Sequence, residues 1–349
     1  MTVGVLIDIA IAGGLQIAAI EEVRSLLKLG HNANLVILSK SGISEEFLKL
    51  TKKIPVNYLQ NFSIIIPGFN FLSTAHFTAP LIAPFTLHGY DLLISHNTTT
   101  TFTALAMHFT RKTPFITIIH DPLPYTLNRI YPKIFSLLTP SVCFLERISI
   151  NHALKVSIDS PLHANLIKDL YHVTPQIIPL GVTPPSKPLA KLGNKILSTS
   201  RWQKEKHPER LLYLLSKFPR ANLVIAGSWS KDLDWFKQEI AKRHLTSQVK
   251  VVTNFPQHNR RKLFKQARVW IHPNLEAFGL DGILAAAYGL PVIMPSKSGA
   301  ASLLPNIQPI SSLKKLLTNR RFATSIGKKN YLTVKNHYTW HIHTQKLLL

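Results

Sequence analysis

Two successive series of short apolar runs, each alternating with helix-period segments, constrain the fold of this chain more than any other feature. The first series predicts strands at Val3–Ile9, Asn34–Leu38, Asp91–Ser95 and Phe115–Ile119, and helices at Ile17–Leu29, Thr100–Phe109 and Asn165–Tyr171. Alternation of this kind is typical of parallel β-α-β units. It therefore predicts an α/β protein built on doubly wound parallel sheets.

A stretch rich in proline and polar residues, near 183–193, separates the first series from the second. The second series runs from a predicted strand at Lys195–Ser198 to one at Val292–Met294. We therefore expect two Rossmann-like domains, 1–185 and 186–330, facing each other across a cleft. Residues 331–349 are predicted to form one closing helix, because apolar residues recur along this tail.

Composition indicates a globular protein without disulfides. The 349 residues are 46% hydrophobic, which is enough to build two cores. The single cysteine, Cys143, favours a reducing compartment or one where thiols are irrelevant. Asp8 interrupts the apolar N-terminal run, and no basic segment precedes it, so this run is predicted as a buried strand and not as a signal peptide. We expect a cytoplasmic protein.

The positive charge of the chain is concentrated in its second half. The net charge is +24, and residues 186–349 hold 28 of the 41 Lys and Arg residues but 7 of the 17 Asp and Glu residues. Such a field attracts nucleotide diphosphates, anionic lipid surfaces and nucleic acid alike, and it does not choose among them. Residues 54–90 carry no Lys, Arg, Asp or Glu, but prolines and polar residues interrupt any run that could span a bilayer. Peripheral association with an anionic membrane stays open.

The segment from Asn274 to Ala300 indicates a ligand site. Glu276 follows the predicted strand Val269–His272 and precedes a helix of small residues. Ligands bind at the carboxyl ends of strands in open parallel sheets. At the turn into the helix, the backbone N–H groups of Phe278, Gly279 and Leu280 are available to an anionic oxygen, while a carboxylate accepts hydrogen bonds from hydroxyls. A sugar phosphate needs both.

Two cations lie at the corresponding place in the first strand-helix unit of the second domain. Arg201 and Lys206 are on the loop between the strand Lys195–Ser198 and the next predicted helix. Arginine provides a bidentate fork and lysine a point charge, and together they suit a diphosphate.

The first domain offers weaker candidates. Gly13 and Gly14 follow the first strand, and glycine lets a backbone come close to a phosphate or sugar. His120 lies at the end of a strand, where an imidazole can donate or accept a hydrogen bond. The sequence contains no metal-binding motif, and neither a serine-hydrolase elbow nor a P-loop. We expect no metal and no cofactor.

Taken together, these motifs resemble the retaining GT-B glycosyltransferases of family four. Their donor-site pattern, Glu-x-Phe-Gly-Leu followed by Gly-x-Pro-Val, is matched by Glu276, Phe278, Gly279, Leu280, Gly289, Pro291 and Val292. The family also has a Gly-Arg and Lys-Gly loop like that of Arg201 and Lys206, a Gly-rich loop like that of Gly13 and Gly14, and a histidine like His120. The resemblance implies a nucleotide-sugar donor, whose sugar Glu276 orients and His120 touches. It also implies a closing helix that returns toward the first domain.

The chain departs from the family pattern at several positions. Leu284 stands where the family has a second Glu that is thought to hold the nucleotide ribose, and Leu303 stands where an acid is common. Ser200 and His207 replace the glycines next to Arg201 and Lys206.

Two hypotheses follow. The first is a retaining, metal-independent hexosyltransferase in which Arg201 and Lys206 stabilise the leaving phosphate; its acceptor, whether a glycan, a lipid-linked molecule or a protein, is not specified by the sequence. The second is a donor-impaired GT-B scaffold that binds polyanions or an anionic membrane surface through its basic half.

Overall fold

The computed structural model describes residues 1–59, 64, 74–124, 137, 139–229, 232–253 and 260–349. The chain divides into two units. The first comprises Met1–Gly181 together with Trp340–Leu349, and the second comprises Val182–Thr339. The change from one unit to the other thus falls at Gly181–Val182, close to the boundary predicted after residue 185.

The first unit is built on a seven-stranded sheet whose strand pairs are all parallel. Its strands are β1 (Thr2–Ile7), β2 (Asn32–Ile37), β3 (Val56–Tyr58), β4 (Leu92–His96), β5 (Phe115–Ile119), β6 (Lys155–Ile158) and β7 (Gln176–Ile177). Their order in the sheet is β3-β2-β1-β4-β5-β6-β7. The chain therefore reverses its direction of winding between β1 and β4, which is where an open α/β sheet leaves a crevice for ligands.

The helices of the first unit pack on this sheet and complete its core. They are α1 (Gly14–Lys28), α2 (Glu45–Thr51), α3 (Ala75–Thr86), α4 (Asn97–Arg111), α5 (Thr139–Asn151) and α6 (Ala164–Tyr171). The central strands are buried on both faces, which is why they are continuous apolar runs in the sequence.

The second unit repeats this plan on a smaller scale. Its strands are β8 (Lys195–Thr199), β9 (Leu223–Gly227), β10 (Val249–Thr253), β11 (Ala267–Ile271) and β12 (Val292–Ile293). Its helices are α7 (Glu209–Ser216), α8 (Leu233–Lys242), α9 (Arg260–Gln266), α10 (Leu280–Ala287), α11 (Gly299–Leu303), α12 (Leu313–Thr318) and α13 (Arg320–His337). The sheet order is β10-β9-β8-β11-β12, with parallel pairs, so the winding reverses between β8 and β11. Two Rossmann-like α/β units are thus confirmed.

The end of the chain forms two helices, and the prediction of one closing helix over 331–349 is wrong. α13 ends at His337, and α14 (Trp340–Leu348) begins after two intervening residues. The carbonyl of Tyr338 accepts a hydrogen bond from the Val182 N–H at 2.9 Å, and the Tyr338 hydroxyl donates to the Leu303 carbonyl at 2.8 Å. These contacts draw the backbone of Tyr338 away from helical geometry, and α14 belongs to the first unit.

Candidate functional site

The predicted donor-site residues of the second unit lie at its reversal point. β8 and β11 are neighbours in the sheet. Arg201 and Lys206 lie on the loop that follows β8, and Glu276 lies on the loop that follows β11. Parallel strands end at the same edge of a sheet, so both loops emerge at the edge where open α/β sheets bind ligands.

Lys206 and Glu276 are in direct contact. Lys206 Nζ donates to Glu276 Oε1 at 2.7 Å, and both side chains are partly buried. The ammonium has three hydrogens and this contact uses one, so the others can reach an anionic ligand. Arg201 is exposed and makes no ion pair or side-chain hydrogen bond with any residue in the described ranges.

A buried amide, which the sequence analysis missed, holds the two loops together. Asn274 receives a hydrogen bond from Arg210 at 3.0 Å, and it donates to the Glu205 carbonyl at 3.3 Å. Glu205 lies in the short 3₁₀ turn Lys204–Lys206. The amide of Asn274 therefore ties the turn that carries Lys206 to the loop that carries Glu276. An asparagine two residues before a candidate acid was the only signal in the sequence.

A histidine beneath Glu276 was also missed. His272 is buried between Trp202 and Trp270, and its ring stacks at 5.8 Å and 5.9 Å from theirs. Burial lowers its pKa below the usual value of 6.5, although the Glu276 carboxylate opposes this shift. His272 Nε2 lies 3.1 Å from Glu276 Oε1, and it makes no hydrogen bond with the residues that the structure describes. The buried ring therefore lies directly against the Glu276 carboxylate.

The N-terminus of α10 has the backbone geometry that the sequence suggested. Gly279 precedes the helix with φ of 88°, in the left-handed region that favours glycine. The N–H groups of Phe278, Gly279 and Leu280 donate no hydrogen bond within the part of the chain that the structure describes. They therefore stay available to an oxygen atom of a ligand.

The acids around α10 differ from the family pattern as expected. Leu284 is partly buried, one turn after Leu280. Asp281, the nearest other acid, accepts a hydrogen bond from Arg260 at 3.0 Å. Its carboxylate is therefore already paired.

His207 adopts a conformation that suits glycine. It follows Lys206 with φ of 44° and ψ of 53°, and its ring contacts Glu209 at 2.9 Å. A left-handed conformation costs a residue with a side chain about 1–2 kcal/mol. Histidine at this position, where the family pattern has glycine, therefore has a cost in stability.

In the first unit, Gly13 and Gly14 stand between β1 and α1. A Cβ atom at Gly13 would lie 2.5 Å from Gln16 Oε1, whereas one at Gly14 would meet nothing within 4 Å. Local packing therefore requires no glycine at position 14. The space next to Gly14, at the N-terminus of α1, is open.

His120 takes part in a chain of buried hydrogen bonds. His120 Nδ1 lies 3.2 Å from Asp159, and His120 Nε2 lies 3.0 Å from His96 Nδ1. His96 Nε2 and His343 Nε2 each lie 2.9 Å from one oxygen of Glu22. His343 Nδ1 closes the chain at the Pro179 carbonyl, at 2.9 Å. His96, Glu22 and His343 are almost wholly buried.

The geometry of this buried chain favours a protonated imidazole. Each of its five contacts needs one hydrogen between its two atoms. Three neutral imidazoles supply three hydrogens, and two ionised carboxylates supply none. The five contacts therefore need more hydrogens than three neutral imidazoles supply, and the raised pKa of His120 favours an extra proton there.

The pKa shifts of Glu22 and His120 have physical causes within this chain. Burial alone would raise the pKa of Glu22, but the charge of His96 and the hydrogen bonds from His343 and His96 lower it to about 2. Burial alone would lower the pKa of His120, but the hydrogen bond and charge of Asp159 raise it above 6.5. Both ring nitrogens of His120 are thus engaged within the first unit.

A separate buried acid lies on α5. Burial raises the pKa of Glu146 to about 7, against the opposing hydrogen bonds from Tyr171 and from the Leu123 backbone. This group is protonated through much of the acidic range, unlike Glu22.

Two further properties bear on function. In the described ranges, no three His, Cys, Asp or Glu side chains are placed to share a metal ion. Among the helices that the structure describes, none is both long and apolar enough to cross a membrane.

Two family models match consecutive parts of the chain. The model described as Glycosyltransferase Family 4 matches residues 12–184, and the model described as Glycosyl transferases group 1 matches residues 183–307. A search of curated protein sequences finds no significant match.

Several solved structures share the fold over nearly the whole chain. A sucrose-phosphate synthase from Thermosynechococcus elongatus superposes with a TM-score of 0.77 at 15% identity, covering 99% of this chain and 97% of that one. HepE from Anabaena, in complex with UDP-glucose, gives 0.74 at 16% identity, with coverage of 100% and 98%. A TarM variant from S. aureus, in complex with Fondaparinux, alpha-GlcNAc-glycerol and UDP, gives 0.75 at 12% identity, with coverage of 99% for both chains.

Proposed function

The chain belongs to the GT-B glycosyltransferases described by the family 4 and group 1 models, and we propose that it transfers a hexose from a nucleotide-diphosphate sugar with retention of configuration and without a metal ion. The observation that carries this proposal is the contact of Lys206 with Glu276 at the reversal point of the second sheet. A cation for a phosphate and a carboxylate for sugar hydroxyls stand there side by side. The structures of HepE with UDP-glucose and of TarM with UDP support a nucleotide-linked donor.

Each site residue has a role in the proposed reaction. Cleavage of the anomeric C–O bond leaves negative charge on the departing diphosphate, and Arg201, Lys206 and the N–H groups before α10 stabilise it. Glu276 accepts hydrogen bonds from the sugar. The acceptor oxygen bonds to the anomeric carbon on the face that the phosphate leaves, and the leaving phosphate takes the acceptor's proton, which accounts for retention. The roles of Gly13, Gly14 and His120 stay predictions that rest on the family resemblance.

The Lys206–Glu276 pair leads to a test that separates donor binding from transfer. Glu276→Ala frees Lys206, so UDP affinity should be unchanged or higher, while transfer falls at least about a hundredfold. Arg201→Ala and Lys206→Ala should lower both, with UDP affinity falling about tenfold or more because a charge-assisted hydrogen bond is lost. Calorimetry with UDP, GDP and ADP measures affinity, and hydrolysis of a panel of nucleotide sugars measures turnover.

Matched controls come from a surface ion pair of the same unit. Glu239 pairs with Arg243 on α8 at 3.3 Å, and Glu239→Ala and Arg243→Ala should change neither UDP affinity nor turnover. Unchanged turnover in both Glu276→Ala and Arg201→Ala would refute the site assignment. If no nucleotide binds, but DNA or anionic vesicles bind in a strongly salt-dependent manner, the chain is the donor-impaired scaffold instead.

Leu284 gives a gain-of-function test of the same site. Because Asp281 is paired with Arg260, no carboxylate in this part of α10 is free for a ribose. Leu284→Glu should raise UDP affinity about tenfold, since hydrogen bonds to a charged group contribute about 1.5–3 kcal/mol. Leu284→Gln, which lacks the charge, should raise it less. Equal affinity in all three proteins would place the ribose elsewhere.

A further inference from the structure

Helix α3 differs from an ordinary surface helix because its small apolar residues are buried and its large apolar residues are exposed. It buries its small residues, Ala75, Ala79 and Ala83, each at most 1% exposed. Its large apolar residues, Phe77, Leu81 and Phe85, are 64%, 71% and 76% exposed. They recur every four residues and therefore form one stripe along the helix. A stripe of large apolar side chains in water is unfavourable unless something covers it.

The described neighbours of this stripe on α4 are cationic. α3 contains no Lys, Arg, Asp or Glu, and α4, which packs against it, contains no Asp or Glu. Arg111 at the end of α4 donates from Nε to the Pro84 carbonyl at 2.7 Å, so its guanidinium borders the end of the stripe. Lys112 follows and is exposed.

We propose that the exposed face of α3, with Arg111 and Lys112 at its end, docks on an anionic membrane surface. Phenylalanine and leucine on one helix face, next to arginine and lysine, match the boundary between acyl chains and anionic headgroups. Twelve residues extend for about 18 Å, which is too short to span a bilayer, so the helix lies in the plane of the interface. This inference goes beyond the proposed sugar transfer and does not depend on it.

The chemistry of the face favours a bilayer over a protein partner. The stripe itself presents no charged or hydrogen-bonding side chain, whereas protein interfaces surround their apolar centres with a polar rim and about one hydrogen bond per 100–200 Å². Its charged neighbours at the end of α4, Arg111 and Lys112, are cations, which a second copy of this face would repel. An anionic membrane is attracted to these cations.

Vesicle sedimentation with the full-length protein tests the proposal. The triple variant Phe77→Gln, Leu81→Gln and Phe85→Gln removes the apolar face but keeps a good helix former at each position. Its binding to phosphatidylcholine vesicles with about one-third phosphatidylglycerol should fall at least about tenfold, both near 0.1 M and near 0.5 M NaCl. Lys112→Asn, which suits the left-handed φ of 59° there, should weaken binding only at the lower salt concentration.

A matched control separates this face from the basic second unit. Tyr213, Ile310 and Leu332 are 65%, 51% and 46% exposed in that unit, and their triple replacement by glutamine should leave vesicle binding within about twofold of the wild type. If both triple variants bind like the wild type and high salt abolishes all binding, the basic unit alone attracts the vesicles and the proposal is overturned. A concentration-dependent dimer that only the α3 variant loses, without vesicle binding, would identify a second copy as the occupant and also overturn it.

A single dye reports where the protein touches the vesicle. Because the chain has one cysteine, Cys143, a protein with Cys143→Ser and Leu81→Cys carries one environment-sensitive label. Its emission should shift to the blue on vesicles, whereas a label introduced by Leu332→Cys should not shift. A shift at position 332 alone would place the membrane contact elsewhere and contradict the proposal.

Discussion

Replacing Glu22 with glutamine should reduce the loss of stability that the first unit shows as pH rises above 6.5. In the wild type, the Glu22 carboxylate is one of the charges that raise the pKa of His120, and it lies in the chain of buried hydrogen bonds from Asp159 to Pro179. A glutamine brings its own N–H to face His343 Nε2, while its carbonyl still accepts from His96. The hydrogen bonds are thus kept while the charge is removed.

The sign and size of the effect follow from proton linkage. The pKa of His120 is raised above 6.5, so the stability that its proton contributes is present below pH 6.5 and is lost as pH rises through the higher folded value. One proton held only by the folded state corresponds to a decline of up to about 1.4 kcal/mol per pH unit. Glu22, Asp159 and Asp121 all favour the protonated form of His120, so the loss of the Glu22 charge should end this decline at a lower pH and reduce its total size.

Urea unfolding followed by circular dichroism between pH 7 and about 8.5 measures this slope. Glu146 also titrates near pH 7, but it does so in both proteins and cancels in their comparison. If the two units unfold separately, only the transition of the first unit should respond to the change. Glu22→Ala serves as the contrast, because it leaves two buried N–H groups without an acceptor and should cost about 3–5 kcal/mol at pH 7. The same pH dependence in the wild type and in Glu22→Gln would refute the part assigned to Glu22.

Three further changes have expected outcomes in stability. His207→Gly should stabilise the second unit by about 0.5–1 kcal/mol in thermal or urea unfolding, because relief of the left-handed conformation outweighs the entropy of glycine; a loss of stability would mean that the contact with Glu209 matters more. Gly279→Ala should destabilise the second unit by about 1–2 kcal/mol, since φ is 88° and the new Cβ would lie 3.1 Å from Met294 Cε; unchanged unfolding would contradict this. The pKa of Glu146 is about 7 in the folded protein and 4.5 in the unfolded chain, so the stability that its proton contributes is present below pH 4.5 and is lost as pH rises through 7. Glu146→Gln should therefore add up to about 3 kcal/mol to the free energy of unfolding at pH 8 and little at pH 5. The same gain at both pH values would exclude titration of Glu146 as its cause.

The strands were the most predictable part of the fold. β5 was predicted at its observed bounds, and β8 within one residue, because a strand buried on both faces is a continuous apolar run between turns. α3 was not predicted. Its large apolar residues face outward and its two prolines look like helix breakers, so the pattern gave no sign of a buried face.

The candidate site was predictable where local motifs define it. Lys206 and Glu276 were expected to serve one site and are in contact, although their role in donor binding stays a prediction. His272 could not be singled out among 16 histidines, because its burial depends on Trp202, in the loop after β8, and on Trp270, in β11. The chain of hydrogen bonds through Glu22 could not be predicted from the sequence, since the partners of Glu22, His96 and His343, are 74 and 321 positions away.

The place of α14 in the first unit has a consequence for biosynthesis. Leu347 packs in the core of that unit, and His343 supplies a partner to Glu22 on α1. A ribosome must therefore complete all of Val182–Thr339 before the segment that finishes the earlier unit is made. Until then, the first unit lacks the packing of Leu347, and Glu22 has one histidine partner in place of two. Incompletely packed intermediates of this kind favour chaperone binding.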